Sequence, residues 1–510
     1  MKNLPIGIQT LTEIRAMNCI YVDKTELVHK LVTTGKYYFF SRPRRFGKSL
    51  LISTLKELFK ANQPIFNDLW INDKWDWSKT NPVIHISFDA LSYPELGLAE
   101  ALKSELSKQA KAFGIRLYEK DLKGKFIELL QKIHDKHGKV VLLIDEYDKP
   151  IIDYLETEVL EQAYINRTIM RDFYSVLKNA DDLLQFMFIT GITKFSRISL
   201  FSHLNNLSDI TLSPQYATLT GYTQAELEAY FGDYLTEATN YLSMSKEALL
   251  EKMKIWYNGF SWDGVTRVYN PFGTLNFLSN LDFRNYWFST GNPKFLIGQM
   301  RKQEYFNVEN ISANSITFET FDIENIELVS LLFQTGYLTI KEKMRGTDEM
   351  ILDYPNKEVR ESMYQFLIKD LAKNVRRTHT GTGRTMQDLN KAFVRRDLTQ
   401  VRESLNAILA DLPSETYLNQ TEGLYHGLIH VIFSYLGMFV QSEVHSALGR
   451  ADAVVETATD VFIFEFKFKP FDIVVNSAYT LLTMTVTYKP TNVVNSAFIR
   501  YSGTSAYNPL

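Results

Sequence analysis

The stretch Tyr37-Tyr38-Phe39-Phe40-Ser41-Arg42-Pro43-Arg44-Arg45-Phe46-Gly47-Lys48-Ser49 constrains this chain more than any other segment. A run suited to a buried strand passes through a tight turn into a helix start at Gly-Lys-Ser. Consecutive backbone N–H groups of such a loop and helix N-terminus converge on one point, the arrangement that holds phosphate. The spacing predicts that Arg44, Arg45, Phe46, Gly47, Lys48, Ser49 and Leu50 cradle the phosphates of ATP. Lys48 is expected to reach the β- and γ-phosphates, and Ser49 to ligate Mg²⁺. In the usual GxxxxGK[ST] pattern the first position is glycine; here it is Arg42, which has less backbone freedom. The Gly-Lys-Ser triplet alone is weak, so the reading needs a second element.

That element is Lys139-Val140-Val141-Leu142-Leu143-Ile144-Asp145-Glu146, an apolar strand ending in two carboxylates about a hundred residues downstream. Ligands of parallel α/β sheets sit at the carboxyl ends of strands, so Asp145 is expected to face the phosphates and hold Mg²⁺ through Ser49 or water. Glu146 is placed to polarise the attacking water. A third strand, Leu184–Thr190, leads into Gly191-Ile192-Thr193-Lys194-Phe195-Ser196-Arg197. There Thr190 or Thr193 can sense the γ-phosphate. Arg197 can stabilise transition-state charge in the same chain or in a neighbouring subunit of a homo-oligomer.

Apolar runs at Tyr37–Ser41, Val83–Phe88, Val140–Ile144, Leu184–Thr190 and Asp209–Leu212 alternate with helical patterns at Ser49–Lys60, Leu98–Phe113, Glu119–His137 and Tyr164–Asn179. This alternation predicts a parallel sheet covered on both faces. A chain of 510 residues exceeds one core. We divide it at 1–215 (the nucleotide domain), 216–375 (a helical lid and connector) and 386–510. Helices are expected at Gln224–Thr236, at Lys246–Tyr257 and from Pro271. Strand-like runs at Leu331–Lys341 and Ile351–Tyr354 flank a hairpin turn, and Thr378–Thr385 reads as a linker. The net charge of −3 argues against coating nucleic acid by bulk electrostatics. The single cysteine, Cys19, excludes an internal disulfide. With no signal-peptide core and no run of ~20 apolar residues, the expected location is cytoplasmic, with no membrane partner.

Near the C-terminus Asp452 precedes Glu465 by thirteen residues (465 − 452), and Glu465 and Lys467 lie two apart in a strand, on one face. Asp452 and Glu465 can share Mg²⁺ while Lys467 stabilises a hydroxide or phosphorane charge. His426 and His430, four apart, can face a metal, though packing accounts for them as well.

Taken together, Tyr21-Val22-Asp23-Lys24-Thr25, the Ser41–Leu50 loop, Leu143-Ile144-Asp145-Glu146-Tyr147-Asp148 and Thr190-Gly191-Ile192-Thr193-Lys194-Phe195-Ser196 resemble the bacterial predicted AAA-ATPase-like family. The resemblance continues through Trp256-Tyr257-Asn258-Gly259-Phe260, Tyr269-Asn270-Pro271-Phe272 and Phe333-Gln334-Thr335-Gly336-Tyr337-Leu338. It implies that arginine at position 42 is usual. It also implies a C-terminal domain of the PD-(D/E)XK nuclease superfamily, in which Glu422 resembles the helical acid of the metal site, with Glu443 as the substitute. The expected fold class is thus α/β: a P-loop NTPase with a parallel sheet, a helical lid, and an incomplete restriction-endonuclease-like domain. Incompleteness follows from the tail. Residues 470–510 carry only Asp472, Lys489 and Arg500 as charges, where the chain-wide 23% gives about nine. The resemblance calls for a Gln/Lys-bearing helix and a closing strand in that region; a frameshift or recombination after about Lys469 would replace both. The expected function is ATP binding and hydrolysis coupled to DNA or RNA cleavage. The alternatives are a nucleotide-dependent switch or scaffold with an inactive nuclease-like domain, and a P-loop protein that acts on proteins.

Overall fold

The computed structural model describes residues 1–194, 206–287, 294–303, 305–319, 327–344, 346–371, 380–410, 422–436, 439–446, 449–456, 460–470, 480–490 and 499–505. The chain forms two compact units, one of Met1–Phe295 with Val308–Arg360 and one of Leu296–Asn307 with Glu361–Leu510.

The first unit is organised by five parallel strands: β1 (Tyr37–Ser41), β2 (Val83–Ser87), β3 (Val140–Asp145), β4 (Leu184–Gly191) and β5 (Ser208–Asp209), in the order β2-β3-β4-β1-β5. β3 is buried along its whole length, as a central strand covered on both faces must be. Its Val141 and Leu143 join Leu51, Leu55 and Leu58 of the helix Lys48–Phe59 in one core cluster. The register pairs Phe40 with Thr190 and Ser41 with Gly191, so the carboxyl ends of β1, β3 and β4 share one edge.

A second cluster gathers Leu227, Phe231, Leu235, Leu249, Met253, Tyr257 and Phe277 from the helices that follow. The segment expected as one helix, Gln224–Thr236, is two: Gln224–Tyr230, begun by a Thr223/Glu226 capping box, and Gly232–Leu242. The strand expected at Asp209–Leu212 stops at Asp209, because the Asp209 carboxylate accepts the Thr211 N–H in a local turn (2.9 Å). The strand-like run Leu331–Lys341 divides into a helix, Leu328–Thr335, and a strand, β7 (Thr339–Lys343). Gly336 ends the helix in the left-handed region (φ 89°), and a Cβ there would lie 2.6 Å from the Pro43 ring. With β6 (Ile311–Asn314) and β8 (Glu349–Asp353), β7 forms an antiparallel sheet in the order β6-β8-β7 that contains the expected hairpin.

At the start of the helix Lys357–Leu371, the fully buried Glu358 accepts the backbone N–H groups of Tyr286 (2.7 Å) and Trp287 (2.8 Å). Burial outweighs these bonds and pushes its carboxyl up to about 7. The folded form therefore holds the proton more tightly than the unfolded chain. The associated stability is fully present below the ordinary glutamate range and is lost as pH rises through about 7. We expect Glu358→Gln to flatten the change in denaturant midpoint between pH 5 and pH 8; an unaltered pH profile contradicts this.

In the second unit the helices Thr380–Arg395, Leu398–Ala410 and Glu422–Tyr435 precede five antiparallel strands: β9 (Phe439–Ser446), β10 (Gly449–Glu456), β11 (Asp460–Pro470), β12 (Thr480–Pro490) and β13 (Ile499–Ser505). Phe393 packs edge-on against Phe433, Phe462 and Phe464, and Arg396 pairs with the buried Asp460 (3.0 Å). The expected linker is overturned from Thr380 onward, where the first of these helices begins; residues 378 and 379 lie outside the described residues. The helix that the family pattern calls for after β11, and that the tail sequence departs from, is not seen among the described residues; the next described element is β12, antiparallel to β11. The alternation of threonine with apolar residues in Thr483-Met484-Thr485-Val486-Thr487 favours a strand. Among the described residues no helix is long and apolar enough to cross a membrane.

Candidate functional site

β1 delivers the chain into a loop whose last residues adopt left-handed backbone, Arg45 at φ 68° and Gly47 at φ 86°. Gly47 is the N-cap of the helix Lys48–Phe59 and leaves that helix terminus open at the sheet edge. Lys48, buried, donates from Nζ to the carbonyls of Arg42 (2.9 Å) and Pro43 (3.1 Å). An ammonium has three N–H donors, so one remains beyond these two bonds. Burial pushes the Lys48 pKa down, opposed by the negative field of Glu146, Asp145 and Asp148. The lysine of the loop and the acids of β3 therefore converge at one edge of one sheet.

The acids are fixed by β4. Thr190 donates its hydroxyl to Asp145 Oδ1 (2.6 Å). Asp148 Oδ2 accepts the N–H groups of Ile192 (3.0 Å) and Thr193 (2.6 Å) and the Thr193 hydroxyl (2.7 Å). Tyr147 donates its hydroxyl to the Thr193 carbonyl (3.0 Å). Glu146, between them, takes a left-handed φ of 52°, uncommon for a residue that is not glycine, and this turns it away from the strand direction. Its carboxyl is pushed up by burial, with Lys48 pulling the other way.

A cavity of about 360 Å³ opens beside the loop. It is bordered by Arg44 through Leu50, Glu146 and Asp148, by Ile8, Gln9, Tyr21 and Val22 of the N-terminal segment, and by Tyr222, Phe272 and Leu275. The lining thus combines cationic and polar groups with apolar and aromatic ones, which suits a molecule that carries both phosphates and a flat ring. Arg45 lies 5.0 Å from the Phe272 ring. The Tyr21–Thr25 motif holds this wall in place: Asp23 accepts the N–H groups of Thr25 (2.8 Å) and Trp70 (2.7 Å), and Lys24 pairs with Glu226 (2.5 Å). Thr190 and Thr193 are fully buried and do not border the cavity. The oxygens of Ser49 and Glu146 at the cavity, with buried Asp145 behind them, are the hard donors that Mg²⁺ prefers. One or two protein ligands suffice where phosphates and water complete the shell.

Arg42 has a structural setting. Its guanidinium, fully buried, donates to the carbonyls of Ser41 (2.9 Å), Thr211 (2.8 Å) and Tyr216 (3.4 Å) and stacks 3.8 Å from the Trp262 ring. Burial lowers its pKa to about 9, so it stays charged at neutral pH. Glycine at this position would supply none of these bonds, and Arg42 is not among the positive-φ residues.

Sequence reading gave no role to Asp148 or Gln334. Gln334 accepts the Lys194 N–H (2.8 Å) and donates to Ser330 (3.1 Å). Both stand in motifs quoted above, but the Ile192 partner of Asp148 and the Lys194 partner of Gln334 lie 44 and 140 positions away, which periodicity cannot reveal. Arg197 lies outside the described residues. In the second unit β10 pairs with β11 from Ala453↔Phe464, whose side chains are buried. One step further along this register sets Asp452 across from Glu465. β9 pairs with β10 through Ala451↔Val444 and Ala453↔Ser442, which brackets Asp452 with Glu443. These three acids thus share one row of the sheet. Lys467 follows on β11, and Glu422 is the first residue of its helix. The side chains of Glu422, His426, Glu443, Asp452, Glu465 and Lys467 lie outside the described residues, and His430 is buried.

The family model described as "Predicted AAA-ATPase" matches residues 5–201, and that of the PD-(D/E)XK nuclease superfamily matches residues 420–478. A protein of Azotobacter chroococcum mcd 1, described as "Uncharacterized protein in vnfD 5'region", is 36% identical over 477 residues, covering 91% of this chain and 89% of its own length. No solved structure matches.

Proposed function

The chain belongs to the predicted AAA-ATPase-like family with a PD-(D/E)XK nuclease-superfamily segment, and from that premise we propose that it binds and hydrolyses ATP and couples the cycle to its nuclease-like region. The observation that carries this reading is the convergence of Lys48, Ser49 and Glu146 on one cavity, with Asp145 buried behind them. The loop N–H groups and Lys48 bind the phosphates. Bound Mg²⁺ would neutralise charge on the β- and γ-oxygens. Glu146 accepts a proton from water as the water oxygen bonds to the γ-phosphorus and the bond to the β–γ bridging oxygen breaks. A raised carboxyl pKa makes Glu146 a better base than an exposed glutamate. Thr190 and Thr193 act by holding Asp145 and Asp148 in register with the loop. In this proposal residues 1–215 carry the nucleotide chemistry, 216–375 the lid and connector, and 386–510 the nuclease-like domain; the protein is cytoplasmic, and Arg197 acts within the chain or across a homo-oligomer.

Glu146→Gln is expected to retain Mg²⁺·ATP binding while turnover falls by roughly 10²–10⁴-fold, the scale of a lost general base. Equilibrium binding and phosphate release on the same sample test this, and turnover within a factor of a few of the parent contradicts it.

For the second unit, Asp452 and Glu465 would hold Mg²⁺ with Glu422 or Glu443, and Lys467 would stabilise developing charge on a scissile phosphate of DNA or RNA. A switch or scaffold without cleavage is the second reading, favoured by the antiparallel β12 and β13 that stand where the fold calls for a helix. If the nuclease reading holds, the parent protein cleaves DNA or RNA with Mg²⁺ or Mn²⁺ and Glu465→Ala does not. No cleavage by the parent on single- or double-stranded substrates supports the switch.

A further inference from the structure

A second cavity, of about 380 Å³, lies in the first unit where the end of the helix Lys246–Tyr257, the β7–β8 hairpin and the start of the helix Lys357–Leu371 meet. Its walls carry five cations, Lys254, Arg267, Lys341, Lys357 and Arg360, against one carboxylate, Asp353. Backbone carbonyls fix the inner two. Arg267 donates to the carbonyls of Ile340 (3.1 Å), Gly264 (3.3 Å) and Lys341, and Lys341 donates to that of Pro355 (3.0 Å). Carbonyls are neutral acceptors, so they orient these cations without cancelling their charge.

Among the described residues no carboxylate oxygen comes within 4.0 Å of Arg267, Lys341 or Arg360. Lys254 has only the exposed Glu251 on its own helix (3.8 Å). Asp353 spends one oxygen on the Tyr354 N–H (2.7 Å). Asn356 accepts the Val359 N–H (3.1 Å), so the helix that begins at Lys357 turns its positive end toward the same wall. Most charged surface residues lie beside opposite charges or in open water; here like charges are gathered in a concavity of small-ligand size. Burial and the repulsion of Arg267 and Arg360 push the Lys341 pKa down against the pull of Asp353, a strain that an incoming anion relieves. Two guanidinium forks, ammonium groups and a helix N-terminus are the donors that suit phosphate oxygens.

We propose that this cavity is a second phosphate-binding site, distinct from the Gly47-Lys48-Ser49 loop, that takes a phosphomonoester or phosphodiester group. It needs neither ATP hydrolysis nor cleavage to be correct. The test uses the full chain and amine-reactive labelling, read by mass spectrometry at Lys254 and Lys357, with inorganic phosphate in one arm and a single-stranded DNA 12-mer in the other. Labelling of these two lysines is expected to slow at least threefold. Protection by inorganic phosphate identifies a small phosphate group as sufficient, and protection by the oligonucleotide alone identifies a strand; either supports the site. In Arg360→Glu, an exposed position, the protection is expected to disappear while the melting temperature stays within a few degrees. If that variant does not fold, Arg360→Gln reads the same loss. Labelling rates unchanged by both probes, or protection undiminished in a folded Arg360 variant, overturns the proposal.

Discussion

Replacing Lys48 with alanine is expected to lower Mg²⁺-dependent ATP turnover by at least roughly 10²–10³-fold, the cost of one preorganised charge at a phosphoryl-transfer site. The ammonium is already seated at the head of the loop by two carbonyls, within the negative field of three carboxylates at the β3 end. Little reorganisation is needed at the moment of reaction, which is what makes a fixed charge effective. Removing a buried cation beside three acids also threatens the fold, because those acids lose their compensation. The measurement therefore pairs turnover with a thermal melt. A folded Lys48→Ala protein that hydrolyses ATP like its parent refutes the assignment.

Arg42→Ala is expected to cost about 3–5 kcal/mol of stability in the first unit, the scale of truncating a large, fully buried side chain. The Ser41 and Thr211 carbonyls lose the guanidinium donor, each unsatisfied buried acceptor costing about 1–3 kcal/mol, while that of Tyr216 keeps the Leu219 N–H (3.1 Å), and the Trp262 ring loses its stacking partner. Arg42→Lys is expected to recover little, since a point charge cannot serve three acceptors and a ring face at once. Denaturant unfolding followed by tryptophan fluorescence checks both variants. A shift worth less than about 1 kcal/mol would contradict the anchoring role.

The same residue shows how far sequence reading reached. As a departure from the glycine pattern, Arg42 counted against the loop; its partners Thr211, Tyr216 and Trp262 are about 170 or more positions away and supply the reason it fits. β1, β3 and β4 were legible because a central parallel strand needs uninterrupted apolar residues, and the loop because its chemistry is local. The Leu331–Lys341 run misled because a short apolar segment fits helix and strand equally, and only Gly336 marks the break. The sequence offers Thr193 only as a candidate γ-phosphate sensor and Asp148 no role, because their pairing depends on the β3–β4 register, a tertiary fact. In the second unit the register of β9, β10 and β11 gathers Glu443, Asp452 and Glu465 into one row, whereas sequence alternation related only Glu465 and Lys467.

In the proposed function the Lys48 amine and the Asp145 carboxylate serve one nucleotide-bound metal ion. A crystal structure of the chain with Mg²⁺ and a non-hydrolysable ATP analogue tests it most directly. Phosphate density is expected within hydrogen-bonding distance of Lys48 Nζ, with Mg²⁺ held by Ser49 Oγ and Asp145 as a direct or water-mediated partner. An analogue bound elsewhere, with Lys48 still bonded only to the Arg42 and Pro43 carbonyls, would contradict it.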